Sequence, residues 1–380
     1  MPHGSTALRV SLLSFMFVLG ATLPSSPLAA AATETVETAS ASRPSVGIGG
    51  RIHYDFYAHD TDTVAATGGS EFRRVRLQLE GEGEVWTYRL QVELSGRNTD
   101  LRDVYLKRDF GDTTLTLGQF KPYRSMDDLT SSNDGSAMER GFGSDLFAGR
   151  QWQQGIGLLH ATDNASLGIS AFSLREDNTP RNEGWGLAAR ATWVPLREGS
   201  RLLHFGTWYS LEDGGKDTPG RSIDVAYGGR RGPEAMLFES LSDVNFEQRA
   251  VGVEIAGTLG SFHWQGEGSR ATVAGATADG HLETRYLQVG WLFGGVRDYA
   301  FDEGVFDSPV DIGEGLWEMV LRVDRIRLRG VDKVEARRFV LGANWYATEQ
   351  LRFMLNWTRG EDRATADQPG QLALRAQYVF

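Results

Sequence analysis

The 380-residue chain contains no cysteine, and this absence excludes several kinds of site at once. Disulfide bonds, cysteine-ligated metals and thiol nucleophiles all need a sulfur atom that the chain does not have. The absence also suits a chain that is exported through an oxidising compartment, where stray cysteines would form unwanted disulfides.

Long apolar runs and basic segments are missing as well. After residue 32 no stretch of about 18 or more apolar residues occurs, so the rest of the chain offers no candidate for a membrane-spanning helix. The formal net charge is −11, and no basic domain that would bind nucleic acid is visible. Because a soluble acidic protein has the same charge balance, charge alone does not choose the class.

Residues 1–32 differ in composition from the remainder. Arg9 precedes an apolar run at residues 12–23, and four alanines follow at positions 29–32. This pattern predicts a secretory signal peptide with a small-residue cleavage region, and an uncleaved anchor is the alternative. The apolar run is too short for a stable transmembrane helix. We therefore predict a signal peptide at residues 1–32, a short segment at residues 33–45 and a single domain at residues 46–380.

Most of the predicted domain alternates apolar and polar residues with a period of two, which is typical of β-strands. In residues 86–95, for example, Trp86, Tyr88 and Leu90 alternate with Thr87 and Arg89. The same pattern recurs near residues 46–56, 74–80, 351–358 and 372–380. The chain is therefore predicted to be all-β. In a soluble sandwich the apolar side of each strand would form the core, so alternation alone leaves that fold open.

Three further features favour a transmembrane barrel. Trp and Tyr recur near the ends of the predicted strands, as the aromatic girdles at the two membrane interfaces require. Tight turns, as at residues 111–112, alternate with long polar connections, as at residues 122–149 and 212–246, in the manner of periplasmic turns and outer loops. The chain also stops on Phe380, and a terminal strand that ends in Phe resembles the signal by which outer-membrane barrels are recognised for assembly.

These segments predict a transmembrane antiparallel β-barrel of about 16 strands, with both termini in the periplasm because the count is even. The last four strands are expected near residues 316–326, 338–346, 351–359 and 371–380. A barrel of this size encloses an aqueous channel instead of a filled core. One connection does not follow the alternation, since residues 297–313 are long yet fall on the side of the short turns, and the sequence does not explain it.

Four short stretches carry a resemblance to a known family. They are residues 49–52 with 71–75, residues 117–122 with 130–132 and 138–140, residues 315–318, and residues 341–346. In their order and spacing the chain resembles the phosphate-selective porin O and P family over essentially the whole domain. The resemblance implies a homotrimeric porin in the lipid bilayer of the outer membrane, exported through the periplasm. It also implies that the loop after the fifth strand folds inward as a constriction and that basic residues along the lumen bind phosphate or related anions.

Arginines on the polar side of the predicted strands are the candidates for lining the channel and binding anions. They are Arg51, Arg74, Arg76, Arg89, Arg322 and Arg375. A guanidinium group stays charged, and its forked donors can replace part of the hydration shell of an anion. The alternative is that these arginines brace the wall by pairing with lumen acids such as Asp55, Glu80, Glu93, Glu318 and Asp324.

Residues 122–149 are the predicted constriction loop, with a disordered outer loop as the alternative. The basic residues in and beside it are Lys121, Arg124, Arg140 and Arg150, and by resemblance Arg140 occupies a position that the family keeps basic. Where phosphate-selective members are expected to carry a lysine before residues 130–132, this chain has Asp127 and Asp128. Carboxylates near a constriction repel phosphate. This departure argues against phosphate specificity and leaves the porin prediction intact.

Catalytic and metal-binding patterns are not apparent. The histidines at positions 53, 59, 160, 204, 263 and 281 stand singly with no nucleophile motif beside them. The acidic stretch at residues 298–311 lacks the spacing of a calcium-binding EF-hand loop. We therefore predict that the chain is not an enzyme and needs no cofactor.

The predicted function is the passive diffusion of small hydrophilic solutes through the outer membrane, with anions such as phosphate as the preferred class. A general or cation-preferring pore is an alternative, which the acidic net charge and Asp127, Asp128 and Asp134 favour. A barrel that its loops close, with a structural or surface-interaction role, is the third possibility.

Overall fold

A computed structural model describes residues 45–175, 184–215, 221–239, 247–274, 279–310, 312–313, 315–331 and 334–380. The predicted signal peptide and all of the short segment after it except Ser45 lie outside the described residues. Nearly all the described secondary structure is extended. None of the helices in these ranges is long and apolar enough to cross a membrane.

The described chain forms twenty strands and two short helical turns. The strands are β1 (Gly47–Asp60), β2 (Gly69–Glu82), β3 (Thr87–Glu93), β4 (Asp100–Phe110), β5 (Thr113–Phe120), β6 (Gln153–Ala161), β7 (Ala165–Ser173), β8 (Gly184–Glu198), β9 (Arg201–Gly214), β10 (Ser222–Val225), β11 (Ala235–Glu239), β12 (Glu247–Leu259), β13 (Phe262–Val273), β14 (Gly280–Phe293), β15 (Val296–Ala300), β16 (Val305–Val310), β17 (Leu316–Leu328), β18 (Glu335–Tyr346), β19 (Leu351–Asp362) and β20 (Gly370–Val379). The helical turns are α1 (Met126–Leu129) and a 3-10 turn (Phe142–Phe147).

Sixteen of the described strands close into one antiparallel barrel in sequence order, and the β10–β11 and β15–β16 hairpins stay outside the ladder. The barrel closes where β1 pairs with β20, from Arg51 opposite Val379 to Asp60 opposite Gly370. The final residue takes part, because the Gly50 N–H donates to the Phe380 carbonyl at 2.8 Å. The predicted strand number and closed topology are confirmed, and a two-sheet sandwich is wrong for this chain.

The two faces of the barrel wall are inverted relative to a soluble protein. On β17 the outward-facing Leu321 and Val323 are 37% and 44% exposed, whereas the inward-facing Glu318 and Arg322 are 0% and 2% exposed. Soluble proteins bury their apolar residues and leave their charges in water. A belt of exposed apolar side chains around a charged interior is what a barrel in hydrocarbon requires.

The tight turns lie together at one end of the barrel. Gly111, Gly199 and Gly260 occupy these turns with φ of 62°, 57° and 61°. In this left-handed region a side chain with a Cβ is strained, and glycine is the residue that enters it freely. Outer-membrane barrels have short turns in the periplasm and longer loops outside the cell, so the end that carries the tight turns is the periplasmic one.

The long connection that the sequence did not explain is the β15–β16 hairpin, and it folds into the barrel from the periplasmic end. Tyr299, Val305 and Phe306 of the hairpin are buried in one apolar cluster with inward-facing wall residues such as Leu202. The Tyr299 hydroxyl lies 2.6 Å from His204 Nδ1 on β9. The hairpin therefore fills part of the lumen and does not extend into the periplasm as a free loop.

Leu321 lies near the middle of the apolar belt on β17, and its replacement tests whether this face contacts lipid. We expect Leu321→Arg to lower the free energy of unfolding in lipid vesicles by about 2–4 kcal/mol, because a cation would enter the hydrocarbon. Val64→Arg in the exposed loop between β1 and β2 is the matched control, with an expected change of about 0.5 kcal/mol or less. Denaturant-induced unfolding measures both values, and equal effects would contradict a lipid-facing belt.

Candidate pore and its constriction

The segment between β5 and β6, residues 121–152, crosses the inside of the barrel and is anchored at several points. Its first anchor is on β9, where the buried Arg124 donates to Glu212 at 2.6 Å and to Ser210 at 3.1 Å. Arg150 donates to the other oxygen of Glu212 at 2.8 Å. One buried carboxylate thus holds both ends of the segment. This segment contains the predicted loop of residues 122–149, and the whole segment is called the constriction loop below.

The second anchor fixes the middle of the constriction loop against β17. Arg322 lies 3.2 Å from the Asp127 carboxylate, which also accepts from the Gly141 N–H at 2.8 Å. Burial alone would raise the pKa of Asp127, but the charge and hydrogen bonds of Arg322 hold that pKa below its ordinary value. Asp127 is therefore a charged structural partner of the wall.

The third anchor lies on the opposite side, at β1, β2 and β20. Glu139 pairs with Arg73 at 2.9 Å and with Arg375 at 3.0 Å, and Arg375 also pairs with Asp55 at 2.7 Å. Burial opposes the charge of Glu139, yet these arginines bring its pKa well below the ordinary range. Because the anchors lie on opposite walls, the constriction loop spans the lumen, as predicted.

The β15–β16 hairpin meets the constriction loop inside the barrel. The Ser308 hydroxyl donates to Asp134 of the loop at 2.5 Å. On the other side, Arg190 of β8 donates to the carbonyls of Glu303 and Gly304 at 2.6 and 2.7 Å. One inward element comes from each end of the barrel, and the two together narrow the lumen.

A cavity of about 410 Å³ remains between the constriction loop, the hairpin and the wall formed by the first eight strands. Its basic lining residues are Arg51, Arg76, Arg89, Lys107, Lys121, Arg140 and Arg190. Its acidic lining residues are Asp103, Asp134, Asp302, Glu303 and Asp307. All of these basic groups come from the wall and the loop, whereas three of the acids come from the hairpin. This cavity is the candidate pore.

Three of the lining arginines are neutralised by nearby carboxylates. Arg76 pairs with Glu93 at 2.7 Å, and Arg89 pairs with Glu80 at 2.8 Å. Arg190 pairs with the fully buried Glu254 at 2.8 Å. These pairs fix the position of the guanidinium groups on the cavity wall and reduce the charge that a solute meets.

Four other cations on the lining lack a carboxylate partner within 4 Å in the described part of the chain. They are Arg51, Lys107, Lys121 and Arg140, and they are called the cation group below. Arg51 donates to the hydroxyls of Ser131 and Ser132 at 3.3 and 3.0 Å. Arg140 donates to the carbonyls of Asp127 and Thr130, and Lys121 donates to the carbonyl of Asp128. Neutral acceptors therefore position Arg51, Lys121 and Arg140 without pairing their charge, and the Lys107 ammonium lies 5.0 Å from the centroid of the Tyr105 ring.

Trp152 organises the cations at one side of the cavity. Arg76, Arg102 and Lys121 approach its ring centroid to 5.1, 4.6 and 5.1 Å, and its indole N–H donates to Asp103 at 3.1 Å. The face of an aromatic ring attracts cations, so one tryptophan holds three like charges together. Burial, with Arg140 nearby, lowers the pKa of Lys121 to about 7.

The predicted site residues separate into lining and anchoring residues. Arg51, Arg76, Arg89, Lys121 and Arg140 line the cavity, whereas Arg322, Arg375, Arg124, Arg150 and Asp127 lie in the anchors. The bracing alternative that the sequence left open describes four of the six wall arginines. The pairs are Arg76–Glu93, Arg89–Glu80, Arg322–Asp324 and Arg375–Asp55.

Two predicted residues fit neither description. Asp128 is fully buried, and no donor among the described residues is within hydrogen-bond distance of its carboxylate. Arg74 is buried 3.5 Å from His53 Nδ1 and borders a second, small cavity of about 30 Å³.

Sequence reasoning missed Lys107, Arg190 and the hairpin acids. The first two sit at inward positions of β4 and β8 and could have been found by extending the alternation to those strands. The acids at positions 302, 303 and 307 were visible as an acidic stretch in the irregular connection. Nothing local in that stretch indicates that it folds back into the lumen. No group of three or more His, Asp and Glu that could hold a metal occurs in the described ranges.

Comparisons with known proteins agree with this architecture. A family model described as "Phosphate-selective porin O and P" matches residues 46–380. A protein of Caulobacter vibrioides (strain ATCC 19089 / CIP 103742 / CB 15), named "Uncharacterized protein", is 28% identical over 320 residues, which are 76% of this chain and 62% of that protein. The chain thus spans less than two thirds of the length of this curated relative.

Solved structures show the same fold. An anion-selective porin from Comamonas acidovorans superposes with a TM-score of 0.64 at 9% identity, over 89% of this chain and all of that chain. The trimer form of OmpT, an outer membrane protein of Vibrio cholerae, gives a TM-score of 0.55 at 11% identity, over 89% of this chain and 99% of that chain. At these identities the likeness concerns the fold.

The anchor at Glu212 provides a test of how the constriction loop is held. We expect Glu212→Gln to lower the free energy of unfolding by about 3–5 kcal/mol, because Arg124 and Arg150 would stay buried without their counter-charge. Glu80→Gln removes a half-exposed partner of Arg89 instead and should change the free energy by about 1 kcal/mol or less. Denaturant unfolding in detergent gives both values. Limited proteolysis should cleave the constriction loop faster in the first variant, and equal cleavage of both variants would contradict this anchor.

Proposed function

The chain belongs to the phosphate-selective porin O and P family, and we propose that it is an outer-membrane porin through which small hydrophilic anions diffuse passively. The carrying observation is the cation group, Arg51, Lys107, Lys121 and Arg140, whose charges face the cavity without carboxylate partners in the described ranges. A closed barrel of this size, with an apolar outer face in lipid and charged side chains inside, can form a water-filled channel.

The chemistry of the cation group suits transient binding of anions. A small anion loses part of its hydration in a narrow pore, and fixed guanidinium and ammonium donors replace the lost water. At about 4 Å in water a single pair of unit charges interacts with about 1 kcal/mol, which favours entry without trapping the solute. Because Arg51 and Arg140 are held by hydroxyls and carbonyls, their free donors stay available to the solute.

The proposal concerns small anions in general and does not single out phosphate. Asp127 and Asp128, which argued against phosphate in the sequence, do not border the 410 Å³ cavity. Asp134 and the hairpin acids do border it. Their negative potential opposes a multiply charged anion more strongly than a singly charged one, since the repulsion scales with the charge of the solute.

A cation-preferring pore is the second candidate, and the hairpin acids are the observation that favours it. Asp302, Glu303 and Asp307 reach into the lumen on one element, close to Asp134 of the loop. If their potential exceeded that of the cation group, cations would pass more readily than anions.

We further propose that the chain is secreted by the signal at residues 1–32, that residues 46–380 form the working domain, and that three copies assemble in the outer membrane. The match of the family model to residues 46–380 and the trimer form of the Vibrio cholerae neighbour support this proposal. It includes neither a catalytic activity nor a cofactor.

A planar bilayer under a salt gradient tests the preferred charge. For the unchanged protein we expect a reversal potential whose sign indicates anion preference. The double variant Arg51→Gln with Lys107→Gln should lower the anion-to-cation permeability ratio by up to roughly fivefold for each charge removed. The matched control is Arg108→Gln on the outer face, which removes one charge per copy without touching the cavity. Cation preference in the unchanged protein that disappears in Asp302→Asn with Glu303→Gln would establish the second candidate instead.

Anion preference should also depend on pH through Lys121. Its pKa of about 7 means that the ammonium is charged below this pH and neutral above it, so anion preference should fall as pH rises from about 6 to about 8. The charged groups that face it are Arg140 and Asp128 on the loop, Asp103 on β4 and Arg76 on β2.

Two variants separate Lys121 from the other titratable groups of the lumen. Lys121→Arg stays charged and should remove the pH dependence of the reversal potential. Lys121→Gln should resemble the unchanged protein at high pH throughout the range. A pH profile that survives in both variants would assign the titration to another residue.

A further inference from the structure

Six arginines gather on the outward face of the barrel near its outer end. They lie on β13, β14, β17, β18 and β19 and are called the arginine patch: Arg270, Arg285, Arg325, Arg327, Arg337 and Arg359. These residues lie toward the strand ends opposite the tight periplasmic turns. Alternation places them on the side of the wall that carries the apolar belt, away from the lumen.

Three members of the arginine patch face one another directly across neighbouring strands. Arg285 is in register with Arg325, and Arg325 is in register with Arg337. Neighbouring strands lie about 4.8 Å apart, and like charges opposite each other on a sheet are destabilising. This arrangement is unfavourable unless negative charge lies between the arginines.

The glutamates on the same surface compensate only part of this charge. Glu283 pairs with Arg270 and Arg327, Glu335 pairs with Arg325 and Arg337, and Glu361 lies 3.7 Å from Arg337. Arg329 and Arg363 also pair with Glu283 and Glu335, so among the described residues these three glutamates are shared by the six arginines of the patch and two further arginines. Arg285 makes no ion pair with any described carboxylate and is exposed.

The depth of the arginine patch is defined by the residues next to it on each strand. On four of these strands, the next outward-facing residue on the periplasmic side of the arginine is apolar. These residues are Leu287, Val323, Phe339 and Trp357. A cation costs about 2–4 kcal/mol at the middle of the bilayer and about 0–1 kcal/mol near its interfaces. The arginine patch thus marks the level at which hydrocarbon gives way to head groups.

A groove of about 740 Å³ runs over this boundary. It is lined by Arg285, Arg325, Arg337 and Arg359 and, on the same surface, by Leu287 and Phe339. Forked cationic donors at one level and apolar side chains at the next match a ligand with phosphate groups joined to acyl chains. Toward the same end, the outward residues of β1 and β20 are apolar ones such as Phe56 and Leu372, so the match is confined to one side of the barrel.

We propose that the arginine patch binds the phosphorylated head group of a glycolipid in the outer leaflet. The phosphates lie between Arg285, Arg325 and Arg337 and relieve the repulsion among them, and the acyl chains follow the apolar belt below. Two copies that met patch to patch would repel each other. A contact between the patch and a different surface of a neighbouring copy is an outcome of the test below. The inference is independent of the proposed solute preference, which concerns the other face of the wall.

Native mass spectrometry of the full chain in detergent micelles tests the proposal, with diphosphorylated lipid A as the probe. The unchanged protein should bind it at least roughly tenfold more tightly than dephosphorylated lipid A, because hydrogen bonds to charged groups are involved. Arg285→Gln with Arg325→Gln should reduce binding by a similar factor. The matched control, Arg108→Gln with Arg201→Gln, removes two outward arginines at the periplasmic end and should bind as the unchanged protein does.

Three binding results would overturn the proposal. The first is equal binding of phosphorylated and dephosphorylated lipid A by the unchanged protein. The second is full binding of phosphorylated lipid A by the Arg285 and Arg325 variant. The third is full displacement of the bound lipid A by inorganic phosphate at the same concentration as the lipid. The first comparison needs no variant and so stands even if the double variant folds poorly. A change in oligomeric mass in that variant with lipid binding retained would identify a subunit contact and would also overturn the proposal.

Discussion

The structure depends on one constraint: every backbone N–H and C=O group that enters hydrocarbon must find a partner within the protein. An open sheet fails this condition at its two edges, so the sheet has to close, and the pairing of β1 with β20 removes both edges. Closure at sixteen strands leaves an interior too wide for the wall side chains to fill. The apolar side of each strand contacts lipid, and the charged side chains of the strands therefore point mainly into the lumen.

Charges inside a narrowed lumen create a second requirement. A charge that loses its water must be paired, because an unpaired buried charge is strongly destabilising. The constriction loop meets this requirement with Arg124 on Glu212, Asp127 on Arg322 and Glu139 on Arg375. The four unpaired cations of the cation group border open space, whereas Arg74 and Asp128 are exceptions that are buried without an ion-pair partner among the described residues. The distinction between anchoring and lining residues thus follows from access to water.

This distinction also explains how much the sequence could predict. The strands and turns can be predicted from residues one or two positions apart. On β17, for example, the adjacent Leu321 and Arg322 lie on opposite faces of the strand, and the alternation of apolar and polar residues shows this directly. The role of an inward arginine depends on its partner, and the Arg322–Asp127 pair joins residues 195 positions apart. In sequence Arg51 and Arg322 look alike, yet one faces the cavity and the other holds the loop. The hairpin at residues 296–310 was unexplained for the same reason, since its contacts with His204 and Asp134 are all distant.

The same residue type acquires a third role on the outside of the wall. Arg322 and Arg325 lie three positions apart on β17, and strand alternation turns one toward the lumen and the other toward the membrane. Inside, Arg322 has carboxylates from two elements within 3.2 Å, because loops and strands both reach it. Outside, the described carboxylates that pair with Arg325 lie along the sheet, and among the described residues three glutamates do not balance six arginines. Because the wall ends at the lipid side, the proposed head-group phosphates are the source of the negative charge that these arginines still lack.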